Sequence, residues 1–189
     1  MKNVLVYKKG EDYSNIDILK NFTHIRAFHG CRTSDLDSYY THGIKPLTKE
    51  RSYEQLQYIL KIKPFITEDQ ISTKLNEIWT EPKRVWFTIT KEELLYRSGH
   101  YLLYGSELLN AVLSQFYLRD ELKKNGIPTI FVCDVPLYDI GKDFLNSIIE
   151  NLDKRKSLDQ SAFMILGKLS AENIISHEHP DYKKIYDPY

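Results

Sequence analysis

Residues 22–29 (FTHIRAFH) interleave two sets, Phe22, His24, Arg26 and Phe28 against Thr23, Ile25, Ala27 and His29. This period of two predicts a strand that closes in a turn at Gly30. Residues 2–8 (KNVLVYK) predict a shorter strand before it. Ser34 is placed to cap a short helix over residues 35–42 (DLDSYYTH), Gly43 to stop it, and Pro46 to hold Lys45 extended. Apolar spacing of three and four predicts a helix over residues 49–62, through Tyr53, Leu56, Ile59 and Leu60. A second, over 67–79, runs through Ile71, Leu75, Ile78 and Trp79 behind a Thr67 cap, with Lys63-Pro64 separating the two. Residues 83–90 (KRVWFTIT) predict a strand, after which Thr90 stands at a helix cap with Glu93 at the capping-box position. Helical pattern continues to about Lys124, broken at Gly99 and Gly105. Residues 127–135 are almost continuously apolar, the pattern of a strand buried on both faces. A helix over 142–152 and strands over 162–169 and 172–178 follow, and the tail 180–189 is polar, Tyr-rich and without a clear element.

Strands do not alternate regularly with helices in this order, so an α+β architecture with a mixed sheet is expected and a doubly wound nucleotide fold is not. GxGxxG and GxxxxGK[ST] are both absent. A length of 189 residues is expected to make one domain over 1–189, and 13% aromatic with 28% charged residues excludes disorder. The 26 basic residues balance 26 acidic ones, with 16 and 13 in residues 1–100 and 10 and 13 in the remainder. No basic stripe stands out, so general nucleic-acid binding is not expected, whereas a small anionic ligand needs only one or two cations. Two cysteines without a CxxC argue against a disulfide scaffold, and the apolar run at residues 4–6 is too short for a secretion signal. A cytoplasmic protein with no membrane span is therefore expected.

Several residues are candidates for chemistry. His29-Gly30 ends an apolar strand, where an imidazole can enter a cleft and a glycine admits close approach. Alone, the pair reads as well as a satisfied histidine at a strand end. The stretch FHGCRTSDLDSYYTHGIKP resembles the opening motif of the ADP-ribosyltransferase-like superfamily: a strand ending in His-Gly, a short helix, and a Gly-hydrophobic-x-Pro turn. Residues 84–90 (RVWFTIT) resemble its second signature, an aromatic-Phe-(small or Thr) strand, and the later strands IPTIFVCDVP, AFMILGKL and ENIISHEHP resemble those of its compact bacterial members. The resemblance implies a split sheet flanked by helices and a cleft for NAD as co-substrate, with no metal. It implies that His29 and Gly30 hold a ribose or the nicotinamide amide, with Phe87 and Thr88 beside them. Trp86 takes the place of the His-Tyr-Glu branch's stacking Tyr, keeping a π face but not a phenol; core filling is its other reading.

The superfamily's Glu near the last strands is missing, since that region reads Leu158-Asp159-Gln160-Ser161. Gln160 can bond a ribose hydroxyl and Asp159 can supply charge. The segment SGHYLLYGSE gathers His100, Tyr101, Tyr104, Ser106 and Glu107, making Glu107 the best available substitute carboxylate; aromatic packing with Ser106 as a helix cap is the plainer reading. Arg26 and Arg32 flank His29 as candidate pyrophosphate clamps. Cys31 beside Arg32 can be a nucleophile or a buried thiol, and His177 with His179 can be metal ligands or solvated histidines. The resemblance implies an enzyme that ADP-ribosylates a protein, nucleic acid or small molecule, as a bacterial toxin or phage-defence effector with a possible cognate antitoxin. The other expectation is a nucleotide- or protein-binding module that has lost turnover.

Overall fold

A ten-residue antiparallel ladder between β2 (His24–Thr33) and β4 (Ile127–Pro136) forms the centre of the molecule, which a computed structural model describes at residues 2–63, 65–80 and 84–189. β4 is rich in β-branched residues and is buried from Pro128 to Phe131 and again from Cys133 to Pro136, with Val132 half-buried between. β6 (Ile174–Glu178) pairs with the free edge of β4. The other edge of β2 is shared: β1 (Val4–Leu5) runs parallel to it at His24 and Ile25, and β3 (Arg84–Thr88) meets it antiparallel at Phe28 alone. β5 (Ala162–Leu166) completes a six-stranded sheet in the order β5-β3-β2-β4-β6. The architecture is α+β, with a mainly antiparallel sheet flanked by helices.

Alternation along the strands divides the apolar residues between two cores. Ile25, Ala27, Val85, Phe87, Phe131, Cys133, Phe163 and Ile165 face one side, which α1 (Ile18–Asn21), α2 (Leu36–His42) and α8 (Lys142–Asp153) close through Ile18, Tyr39 and Ile148. Phe28 and Ile130 face the other. There they meet α3 (Lys49–Ile62), α4 (Glu68–Ile78), α5 (Lys91–Tyr96), α6 (His100–Tyr104) and α7 (Glu107–Ser114) through Leu56, Leu75, Leu94, Leu102 and Leu113. Among the described residues no helix is long and apolar enough to cross a membrane.

Several local expectations are corrected. The strand does not stop at Gly30; it continues through Cys31 and Arg32 to Thr33 because β4 offers partners along that whole length. Asp35, not Ser34, caps α2, accepting from the Ser38 N–H at 3.0 Å. Thr90 makes no cap bond, and its hydroxyl donates instead to the Asp159 carbonyl. As expected, the helical stretch after Thr90 breaks at Gly99 and Gly105, into three short helices, but its end at Arg119–Lys124 is a 3-10 turn. Pro64 and Lys83, named in the sequence reading, lie outside the described residues. The tail holds one 3-10 turn, Tyr182–Lys184, and its Ile185 enters the second core.

Gly43 ends α2 with φ +79°, and a Cβ there would strike the Leu169 carbonyl. That carbonyl accepts from the Ile44 N–H, and the Ile44 carbonyl accepts from Leu169 in return, so the turn is pinned to the segment leading into β6. Gly43→Ala combines a left-handed backbone with this clash and is expected to cost about 2 kcal/mol or more, measured as a shift in the urea midpoint; an unchanged midpoint would show that the turn does not hold α2.

Candidate active site

β3 leaves β2 after a single facing pair because it follows β5, with which it pairs from Arg84 to Thr88. In continued register Trp86 would face Gly30. The Met164 carbonyl accepts from the Gly141 N–H at the sheet's outer edge, so Met164 turns its peptide groups away from β3 and its partner Trp86 turns its own toward β2. There His29 Nδ1 donates to the Trp86 carbonyl at 2.9 Å, and the imidazole tilts against Phe87 at 5.6 Å between ring centroids. This bond fixes the neutral tautomer and leaves Nε2 with an acceptor lone pair. Burial pushes the His29 pKa below the ordinary histidine value, with the Trp86 carbonyl opposing it. Gly30 has no room for a ligand at its α-carbon: a Cβ would lie 2.9 Å from Leu94 Cδ2 and 3.3 Å from Leu102 Cδ2, which seal the other face.

The split opens into a cavity of ≈ 930 Å³, at the large end of the range found for small-molecule sites. Of the residues expected at a site, His29, Gly30, Arg32, Trp86, Phe87, Thr88, Tyr101, Ser106 and Glu107 line it. Glu107, at the start of α7, accepts from the Tyr101 hydroxyl at 3.1 Å, and His100 Nε2 lies 3.3 Å from the same oxygen without an aligned hydrogen bond. The neighbouring His100 and then the Tyr101 hydroxyl hold Glu107 below the ordinary carboxylate range, with burial opposing. Burial and Glu107 raise the Tyr101 phenol, keeping it a neutral donor. Ser106 caps α7 through the Leu109 N–H at 3.2 Å, so its hydroxyl is already engaged. The Trp86 ring packs edge-on against Phe144 at 5.7 Å, with the Arg84 guanidinium 5.9 Å over it.

Four residues expected at the dinucleotide site lie outside the cavity lining. Arg26 pairs with Asp134, its facing partner on β4. Gln160 accepts from Arg97 Nη1 at 2.8 Å. The Tyr104 hydroxyl donates to Asp187 of the tail, a carboxylate that also pairs with Lys123 at 2.8 Å. Asp159 pairs with Lys9. Arg32 lines the cavity but its guanidinium donates to the carbonyls of Asn125 (2.8 Å), Leu102 (3.4 Å) and Lys123, so it ties the 3-10 turn and α6 to the sheet. Cys31 is buried and its thiol is pushed up to about 12 by burial, which makes it a poor nucleophile. His177 bonds Tyr40 and His179 lies near Thr129; among the described residues no three His, Cys, Asp or Glu side chains come together to hold a metal.

Cations that the sequence reading passed over complete the lining. The described walls carry Arg32, Lys45, Arg51 and Arg84 against one carboxylate, Glu107, in a chain of zero net charge. Lys45 is the variable residue of the Gly-hydrophobic-x-Pro turn. Arg51 had a signal: a cation in the first turn of a helix opposes the helix dipole and calls for another reason to be there. No family model, curated protein sequence or solved structure matches this chain in the comparisons made.

The depressed His29 pKa gives a pH prediction. Below its unfolded value near 6.5 the unfolded chain binds the proton more readily than the folded one, so stability falls as pH drops through that range. Melting temperatures of the wild type and His29→Gln between pH 5 and 8 are expected to converge at the acidic end; a constant difference would mean that His29 titrates as a free imidazole.

Proposed function

We propose that the chain binds NAD in this cavity and transfers its ADP-ribosyl group to an acceptor. The observation that carries the reading is the fixed neutral imidazole of His29 in the sheet split, inside a cavity whose walls are cationic but for Glu107. A dinucleotide needs cations for its pyrophosphate and polar groups for its riboses, and these walls supply both. Lys45, Arg51 and Arg84 are assigned to the pyrophosphate, since Arg26 and Arg32 are engaged elsewhere. His29 Nε2 accepts from a ribose hydroxyl or the carboxamide N–H. Glu107, kept ionised by its neighbours, orients the reacting ribose and stabilises positive charge as nicotinamide leaves. Trp86 and Tyr101 offer the aromatic surface for the nicotinamide. A split sheet with His-Gly at the split is also what the resemblance to the ADP-ribosyltransferase-like superfamily implies.

A second reading is a module that binds the nucleotide without turning it over. What favours it is that Gln160 and Asp159, in the region where the superfamily carries its Glu, are turned to Arg97 and Lys9. An acceptor that is a cellular target of a toxin or phage-defence effector belongs to the first reading.

Calorimetric titration with NAD and a nicotinamide-release assay separate the two. Under the transferase reading, His29→Ala and Glu107→Gln each lower release by about 100-fold. Lys45→Met combined with Arg51→Met weakens NAD binding at least about tenfold, or ~1.4 kcal/mol. Binding without release, to acceptor or to water, supports the module; no binding sinks both.

A further inference from the structure

Glu93 is placed to complete a capping box with Thr90, but Thr90 bonds Asp159 and leaves that carboxylate free of its sequence-predicted task. Glu93 is nevertheless buried, 9% exposed. Its Oε1 accepts from the Ser98 hydroxyl at 3.1 Å, while its Oε2 has no hydrogen-bond partner among the described residues. The nearest cation, Arg97, keeps its Nε 4.0 Å away and spends Nη1 on Gln160. Burying a carboxylate for one bond to a serine is costly and does nothing for the fold that the Ser98 N–H bond to the Glu93 carbonyl, at 2.8 Å, does not already do. Ser98 is half-buried and lines the same cavity as His29 and Trp86. A hydroxyl whose proton points at a buried carboxylate, with its remaining lone pair available, is a base-assisted nucleophile.

We propose that Ser98 is an acceptor within the chain, taking the ADP-ribosyl group of the dinucleotide bound in the cavity. The step rests on the NAD reading. Ser98 Oγ forms a bond to C1′ of the nicotinamide ribose, the C1′–nitrogen bond breaks, and its electron pair leaves with neutral nicotinamide. The hydroxyl proton passes to Glu93. The product is a glycosidic bond on Ser98 that keeps the ADP-ribose in the cavity, so the modified chain occupies its own site.

The test incubates the full chain with NAD, follows nicotinamide release, and maps the modified residue by peptide mass spectrometry. One ADP-ribosyl group is expected on the peptide containing Ser98, with a yield per chain independent of protein concentration. Ser98→Thr is expected to keep the label and Ser98→Ala to lose it, and Glu93→Gln to slow labelling about 100-fold, the size of a lost general base. Release from the wild type with Ser98 unmodified overturns the proposal and leaves the NAD reading standing. Equal labelling of Ser98→Ala at another residue overturns it too, and absence of both NAD binding and release overturns the proposal together with that reading.

Discussion

The bond from His29 Nδ1 to the Trp86 carbonyl is the point on which the arrangement around the cavity turns. A strand edge that loses its partner leaves backbone groups to be satisfied some other way. β2 cannot separate from β4, which is paired along all of it, so the opening falls between β2 and β3, and there a ring nitrogen takes over from a backbone donor. Leu94 and Leu102 fill the space above Gly30 on the opposite face, which closes the sheet on that side. The split is thus covered on one face by packing and bridged by one hydrogen bond.

The helices around this opening are short, and their ends are fixed by long-range bonds more than by their own caps. Arg32 reaches three carbonyls on α6 and the turn before β4, and the tail's Asp187 joins Tyr104 to Lys123. Tyr189 adds its ring over the Arg119 guanidinium at 4.6 Å and stands 6.5 Å from His100. The segment from Glu93 to Glu107 that supplies Ser98, His100 and Tyr101 to the cavity is therefore held from the sheet side and from the tail side. Helices of five and six residues would not persist alone.

Much of the secondary structure was legible because its signals are local. The burial of β4 on both faces followed from its unbroken apolar run, and α4 shows the Thr67 cap, completed by Gln70, that its sequence announces. Gly30 misled because a glycine after an alternating run reads as a turn, whereas here it answers to two leucines from helices more than sixty residues away in sequence. Arg26 and Arg32 each stand three positions from His29, which puts both on the opposite face of the strand, and they found partners on other elements, Asp134 and three carbonyls. Lys45 and Arg51 could not be assigned from spacing, since only the fold of the turn after α2 brings them to the wall that His29 shares. The engagement of Gln160 with Arg97 is likewise a tertiary fact with no short-range trace.

The recess gathers four cations against one carboxylate in a chain with no net charge, so positive charge is local to it and absent from the total. Such a protein attracts small anions at short range while presenting little field beyond a Debye length of about 8 Å at physiological salt. Local charge placement thus lets a recess favour small anions without giving the whole surface the positive field of a basic protein of the same size.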